Sequence, residues 1–250
     1  MEAFFKKKNQ TQFKDSLLKE VDGLNALSKA LKFQDKLLIP KIYNFDEDVL
    51  NIEMIQSCPS TKETSSILGK MLAKMHKQVY EHYGYNQDNY IGLNPQKNTL
   101  SDNWGSFFVE YRLGFQVSLI QDTDIKDHFH EVLDLHSKKL ESFLNENTKH
   151  PSLVHGDLWS GNVMFDSNEA YLIDPAVYYG DREVDLAMTH MFGGFDNNFY
   201  NAYEKEYPLS KHYTTKEVLY NLYHYLNHYN LFGTGYLGRC EDGFNLIKSL

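Results

Sequence analysis

The stretch His155-Gly156-Asp157-Leu158-Trp159-Ser160-Gly161-Asn162 constrains this chain more than any other. Leu153 and Val154 lead into it and Val163-Met164-Phe165 leave it, so short apolar strands are expected on both sides. Twelve residues past Asn162, a second apolar run, Tyr171-Leu172-Ile173, ends in Asp174. An Asp or Asn beside Gly is a common turn former, and any one of these residues alone reads as a turn. The ordered set is more specific. One Asp can accept a proton from an attacking hydroxyl, while an Asn five residues on and an Asp closing the next strand can hold Mg²⁺. Asp157 is therefore the candidate base, and Asn162 and Asp174 are candidate Mg²⁺ ligands, since hard oxygen donors suit that ion.

The rest of the chain sets the frame for such a loop. Two hundred and fifty residues suffice for one large domain or two small lobes. A net charge of −9 argues against a nonspecific nucleic-acid binder, which needs a basic face. ATP remains admissible, because local lysines and Mg²⁺ set the field at its phosphates. No apolar run is long enough to span a bilayer, and Met1-Glu2-Ala3-Phe4-Phe5-Lys6 has no long apolar stretch of the signal-peptide kind. A cytoplasmic enzyme is expected. Cys58 and Cys240 lie far apart and read as free thiols.

Phe4 to Lys8 reads as a strand and Phe13 to Leu31 as an amphipathic helix, with Leu17, Val21, Leu24, Leu27 and Leu31 on one stripe. Lys41–Phe45 and Val49–Ile55 read as strands around an Asp46-Glu47-Asp48 turn. Cys58-Pro59-Ser60 reads as a linker. Helical spacing begins at Ser65, Gly84 to Asn103 reads as a long polar loop, and helices are expected over Trp104–Gln121 and Lys126–Leu144. The apolar runs around Asp157 and Asp174 are expected to form a hairpin. Three helical stretches follow, near Val184–Met191, Asn198–Tyr207 and Lys216–Phe232. Residues 1–57 thus form a small strand-rich lobe and residues 58–250 a larger helical lobe: class α+β, two-lobed and kinase-like.

Phosphoryl transfer asks mainly for positioning and charge neutralisation. Lys7 on the first strand reaches the ATP phosphates in this reading, and Glu20 on the first helix holds that lysine in an ion pair. Lys7 also sits between Lys6 and Lys8, and a lysine run reads equally as a solvated strand edge. Glu53, Met54 and Ile55, at the lobe junction, offer backbone groups to the adenine. His155 reads as a scaffold residue that fixes the loop backbone, rather than as a base.

With these residues in hand, the chain resembles the fructosamine kinase family, a branch of the protein-kinase-like fold related to aminoglycoside and choline kinases. His155 to Asn162 is similar to that family's catalytic loop, and Trp159 separates it from most aminoglycoside kinases. Asp174-Pro175-Ala176, Tyr179 to Ala187 and Phe192-Gly193-Gly194-Phe195 resemble its metal segment and the stretch that follows. So do Asp88 to Gly92, Asn103-Trp104 to Leu113, and Leu222 to Gly233 elsewhere, and the likeness runs from about Phe4 to Phe232. The resemblance implies ATP-dependent phosphorylation of the sugar 3-hydroxyl of a ketosamine of ribulosamine or fructosamine type, a deglycation activity. It implies Asp157 as base, Asn162 and Asp174 on Mg²⁺, and Lys7 with Glu20 on the phosphates. Trp159 packs on the sugar–amine moiety or anchors the loop. His224 and His228, one helical turn apart, line the pocket or serve as buried structural histidines. The alternatives are another small-molecule kinase of aminoglycoside or choline type, or a pseudokinase.

In one respect the chain departs from the family's pattern. Members carry two strands and a Gly-containing turn ahead of the lysine strand, whereas here Met1-Glu2-Ala3 precede Phe4. The expectation is a truncated strand lobe in which Phe4–Lys8 forms a sheet edge. Such an edge can pair with a second copy of the chain to make a homodimer.

Overall fold

The computed structural model describes residues 4–31 and 36–250. β1 (Phe4–Lys8) runs antiparallel to β4 (Val49–Glu53), with Lys7 opposite Leu50, and β3 (Ile42–Phe45) flanks β4 on its other side. Among the described residues β1 has a neighbour on one side only, and Phe4 and Phe5 are half-exposed. The strand after the Asp46–Asp48 turn stops at Glu53, two residues short of the expected Ile55.

α1 (Ser16–Leu31) joins the two parts of the molecule. Its stripe falls as the spacing predicts, but the stripe divides. Leu17, Val21 and Leu24 pack with Leu50 and Ile52 in a small cluster, whereas Leu27, Ala30 and Leu31 belong to the large core. One rigid helix thereby fixes the strand-rich part against the rest. The helix starts at Ser16 rather than Phe13 because Asn9 captures the local backbone. Its Nδ2 donates to the Phe13 carbonyl at 2.8 Å and to the Glu47 carbonyl at 3.0 Å, and its Oδ1 accepts from the Thr11 amide at 2.9 Å.

β2 (Leu37–Leu38) follows, and then α2 (Lys62–His76). α2 begins three residues before the expected Ser65 because Thr61 and Thr64 form a reciprocal capping box. The segment expected to be a polar loop contains a hairpin, β5 (Asn89–Ile91) and β6 (Asn94–Gln96), joined by Gly92-Leu93 with Gly92 at φ +58°. Its polar residues point inward. Asn89 donates to the Val177 carbonyl at 2.9 Å, and Gln96 to the Ala176 carbonyl at 3.0 Å and to Asn89 Oδ1 at 2.8 Å. Polarity that signalled a loop in sequence is here the means by which the hairpin grips the segment after Asp174.

The helix expected from Trp104 is continuous in direction but not in type: α3 (Trp104–Phe107), a π-helical stretch over Phe108–Gly114, then α4 (Phe115–Ser118). Arg112 lies in the π stretch, fully buried, donating to the Lys97 carbonyl at 2.6 Å and Asn98 Oδ1 at 2.7 Å, with its guanidinium 4.0 Å from the Tyr178 ring centre. α5 (Thr123–Glu146) is capped by Asp122.

The strands around the loop do not form one hairpin. β8 (Val163–Phe165) and β9 (Ala170–Leu172) do pair antiparallel, and β2 adds to β9 in parallel. β7 (Ser152–Val154) instead pairs with β10 (Tyr178–Gly180). The two ends of the His155–Asn162 loop are therefore held by different sheets. α6 (Glu183–Met191), α7 (Asn197–Glu206) and α8 (Tyr213–Phe232) match the three expected helices within a few residues. A fourth, α9 (Leu237–Ser249), was not expected, although Cys240, Phe244 and Ile247 give it a buried i, i+4, i+7 stripe. Among the described residues no helix is long and apolar enough to cross a membrane.

Leu27 is fully buried on the side of α1 that meets the large core. Leu27→Ala is expected to lower unfolding free energy by about 3 kcal/mol, the cost of a core leucine truncation. Urea denaturation checks this, and a loss under about 1 kcal/mol contradicts the anchoring role.

Candidate active site

The loop leaves β7 at His155, and a single carboxylate fixes its first turn. Asp185 on α6 is buried and accepts the His155 amide at 2.7 Å and the Gly156 amide at 2.9 Å. His76 on α2 adds a third contact, Nε2 to Asp185 Oδ2 at 3.2 Å. Burial pushes the Asp185 carboxyl up, but these hydrogen bonds and the neighbouring His76 outweigh it and hold the group below the usual carboxylate range. Burial keeps His76 neutral, with Nδ1 2.8 Å from the Tyr203 hydroxyl. Gly156 has φ +82°, and a Cβ there would lie 2.0 Å from the Ala176 carbonyl oxygen, so only glycine fits.

His155 has the scaffold role expected of it. It is fully buried, its Nε2 donates to the Ile173 carbonyl at 2.9 Å, and its Nδ1 accepts the Asp157 amide at 3.3 Å. Burial lowers its pKa, and one neutral tautomer satisfies both contacts.

Asp157, Asn162 and Asp174 come together. Asn162 Nδ2 donates to the Asp157 carbonyl at 2.8 Å, to Asp157 Oδ2 at 3.1 Å and to the Asp174 carbonyl at 3.4 Å. Among the described residues no protein donor reaches the amide oxygen of Asn162, which leaves it open to a cation. Asp174 has φ +52°, the only non-glycine positive φ among the described residues, a strained turn that places its carboxylate at the end of the β9 strand segment. Burial pushes the Asp157 carboxyl up to about 7, against the opposing hydrogen bond from Asn162. The oxygens of Asn162 and Asp174 suit Mg²⁺, which takes few protein ligands and completes its shell with water and phosphate. Among the described residues no cluster of three His, Cys, Asp or Glu side chains forms a self-sufficient metal cage.

Lys7 and Glu20 also meet. Lys7 Nζ lies 2.8 Å from Glu20 Oε2 and 2.8 Å from Asp174 Oδ1. Burial disfavours the Lys7 charge, but the two carboxylates outweigh that and raise its pKa, so Lys7 is a firm cation. Burial pushes Glu20 up to about 7 while Lys7 opposes the shift.

These groups line a cavity of about 620 Å³ between β1, the Asn9–Thr11 turn, the start of α1 and the β5–β6 turn. A second cavity, of about 260 Å³, is lined by Met188, Phe192, Asn227 and His228 among others. Asp157 and Trp159 line both. Trp159 is 38% exposed, with its ring edge-on to Phe192 at 5.9 Å and so close over Gly161 that a Cβ there would lie 2.2 Å away.

Not every expected site residue is brought in. His228 lines the second cavity, but His224 is buried behind it, lines neither cavity, and is pushed by burial down to about 3. Of the two readings given for these histidines, His228 lies on the pocket and His224 is a buried histidine of the helix interior. Glu53, Met54 and Ile55 sit at the end of β4 and line neither cavity; Glu53 Oε2 accepts the Lys41 amide at 3.1 Å. Asp185 was missed as a site residue. Its signal was present, a carboxylate inside the apolar run Val184-Asp185-Leu186-Ala187-Met188, where a charge persists only if it is fully hydrogen-bonded.

With this geometry in view, comparison with known proteins is direct. The model of the fructosamine kinase family matches residues 1–248. A "probable ketoamine kinase" of Vibrio vulnificus is 36% identical over 255 residues, covering 99% of this chain and 86% of the relative. The chloroplastic protein-ribulosamine 3-kinase of Arabidopsis thaliana is 44% identical over 193 residues, covering 73% of this chain and 58% of that one. A crystal structure from Thermobifida fusca, provisionally assigned as a fructosamine-3-kinase, superposes with a TM-score of 0.84 at 27% identity, covering 99% of this chain and 86% of that one. The chain belongs to the fructosamine kinase family, and its α+β architecture is the two-lobed, kinase-like fold.

Asp185→Ala leaves three buried donors without their acceptor, at about 1–3 kcal/mol each. The variant is expected to lose at least about 3 kcal/mol in chemical denaturation; a loss below about 1 kcal/mol contradicts the clamp.

Proposed function

We propose that this member of the fructosamine kinase family transfers the γ-phosphoryl group of ATP to the sugar 3-hydroxyl of a ketosamine of ribulosamine or fructosamine type. The observation that carries the reading is that Asp157 stands where the two cavities meet. The larger cavity, with Lys7, Asn162 and Asp174, is the nucleotide-phosphate side; the smaller, apolar one is the acceptor side. Residues up to 57 then form the nucleotide-side lobe and residues from 58 the lobe that carries the loop.

In this mechanism Asp157 accepts the proton of the 3-hydroxyl as the new O3–P bond forms. The bond from γ-phosphorus to the β,γ-bridging oxygen breaks, and ADP leaves. Lys7, held by Glu20, exchanges its contact with Asp174 for the phosphates. Asn162 and Asp174 would hold Mg²⁺, which when bound neutralises charge on the transferring group. The His155 and Asp185 contacts keep Asp157 in place, so little reorganisation is needed at the moment of transfer. Glu53, Met54 and Ile55 lie outside the phosphate-side cavity, so in this reading they meet the adenine, through backbone groups, only where the nucleotide extends beyond that cavity. The product, a ketosamine 3-phosphate, then releases its amine, which makes the activity one of deglycation.

Asp157→Asn is isosteric and removes a buried charge, so folding is retained while the base is lost. The rate of acceptor-dependent ADP release with ribulose-lysine and fructose-lysine is expected to fall by about 10²–10⁴-fold. A loss below about threefold sinks the base assignment. The raised Asp157 pKa sets a pH dependence. Only the ionised carboxylate accepts a proton, so kcat/KM at low substrate is expected to fall as pH drops through about 7 and to level off above it. A profile flat from about pH 5 upward contradicts this.

A further inference from the structure

Asn227, on α8, is a polar group of the acceptor-side cavity that the mechanism above leaves unused. It is 3% exposed and lines the cavity beside Asp157 and Trp159. Its carboxamide orientation is set by a chain of hydrogen bonds that starts at an atom able only to accept. The backbone carbonyl of Gln116 lies 2.9 Å from one terminal atom of Asn230, which must therefore be the amide nitrogen. That nitrogen also lies 2.9 Å from the Gln116 side chain, which must present Oε1 to it. Gln116 therefore turns Nε2 toward Asn227 and meets Asn227 Oδ1 at 3.4 Å. From the β5–β6 turn, Asn94 Nδ2 donates to the same oxygen at 2.9 Å.

Two donors on Oδ1 leave Asn227 Nδ2 with both protons, and no protein acceptor takes either among the described residues. Nor is that nitrogen one of the side-chain atoms sealed in the interior without a partner. A residue this buried, with a fixed oxygen and an open nitrogen, holds a donor ready for a ligand. Its neighbour supplies the opposite character. His228 Nδ1 donates to the His224 carbonyl at 2.7 Å, and burial keeps the ring neutral, which leaves Nε2 as an acceptor. Met188, Phe192 and Trp159 give the cavity its apolar walls.

We infer that Asn227 is a specificity-determining residue, donating a hydrogen bond to the oxygen on C2 of the acceptor sugar. The inference rests on the ketosamine reading above. In such a substrate C2 is bonded directly to C3, whose hydroxyl gives its proton to Asp157. The C2 oxygen is a carbonyl in the open chain and a hemiketal oxygen in the ring, and either accepts from an amide. A buried donor selects for that oxygen by exclusion: an acceptor without it leaves Nδ2 desolvated and unpaired. Asn227 thus separates acceptors that carry an oxygen on the carbon beside the reacting hydroxyl from those that lack one.

The test compares ribulose-lysine with its analogue lacking oxygen at C2, on wild-type enzyme and on Asn227→Asp. The aspartate retains an oxygen for Asn94 and Gln116 and, ionised in alkaline assay buffer, has no donor to offer. Wild-type kcat/KM is expected to favour the ketosamine by about 10²-fold, and N227D to favour it by less than about threefold. Both acceptors are assayed on one preparation, so the ratio cancels any difference in folded fraction. Wild-type discrimination is read whether or not N227D folds. Equal use of the two acceptors by wild type, or the same preference in N227D, overturns the role of Asn227 and leaves the kinase reading standing. Absence of phosphoryl transfer to any ketosamine overturns that reading and this inference together.

Discussion

The Asp185 carboxylate on the His155 and Gly156 amides is the contact on which the site depends. Two consecutive amides cannot both point into an interior without acceptors, and one ionised carboxylate satisfies both. Because Asp185 sits on α6 and is met by His76 from α2, the loop is referenced to the helical core rather than to its own strands. The reference is needed because β7 and β8 belong to different sheets. Gly156 completes the arrangement: its positive φ lets the backbone pass against the Ala176 carbonyl where any side chain would collide.

From that fixed point the charges fall into an order. Asp157 and Asp174 flank Asn162, whose single amide nitrogen reaches toward both. Lys7 arrives from the strand-rich part and neutralises Asp174 while Glu20 holds it from behind. Asp157 is largely desolvated, and burial is the first cause of its raised pKa, with the charges of Asp174 and Asp185 adding to it. A carboxyl poised near neutrality suits proton acceptance from an alcohol better than one titrating in the ordinary carboxylate range. α1 matters here because its two apolar segments belong to two clusters, so the Lys7–Glu20 side and the Asp157 side are tied by one helix.

Residue spacing carried the loop, the α1 stripe and the Lys7–Glu20 pairing, because each is local or nearly so. Periodicity failed where polar side chains are buried. Asn89 and Gln96 read as loop residues, yet they hydrogen-bond the backbone after Asp174 and build the β5–β6 hairpin. It failed again at Asn9, whose side chain competes with the first turn of α1. α9 was legible from Cys240, Phe244 and Ile247 and was overlooked because its polar majority masks a narrow stripe. The pairing of β7 with β10 could not be read, since strand partners are set by tertiary packing. Asn227 was visible only as a neighbour of two histidines; its meaning lies in the amides of Asn94, Gln116 and Asn230, far away in sequence.

The most direct measurement is the position of the phosphate in the product. Wild-type protein is incubated with Mg-ATP and ribulose-lysine, and the product is read by ³¹P–¹H correlation NMR. The account predicts one phosphorus coupled to the proton on C3 and ADP formed in equal amount. Inorganic phosphate alone, or an ester on any other hydroxyl, contradicts it.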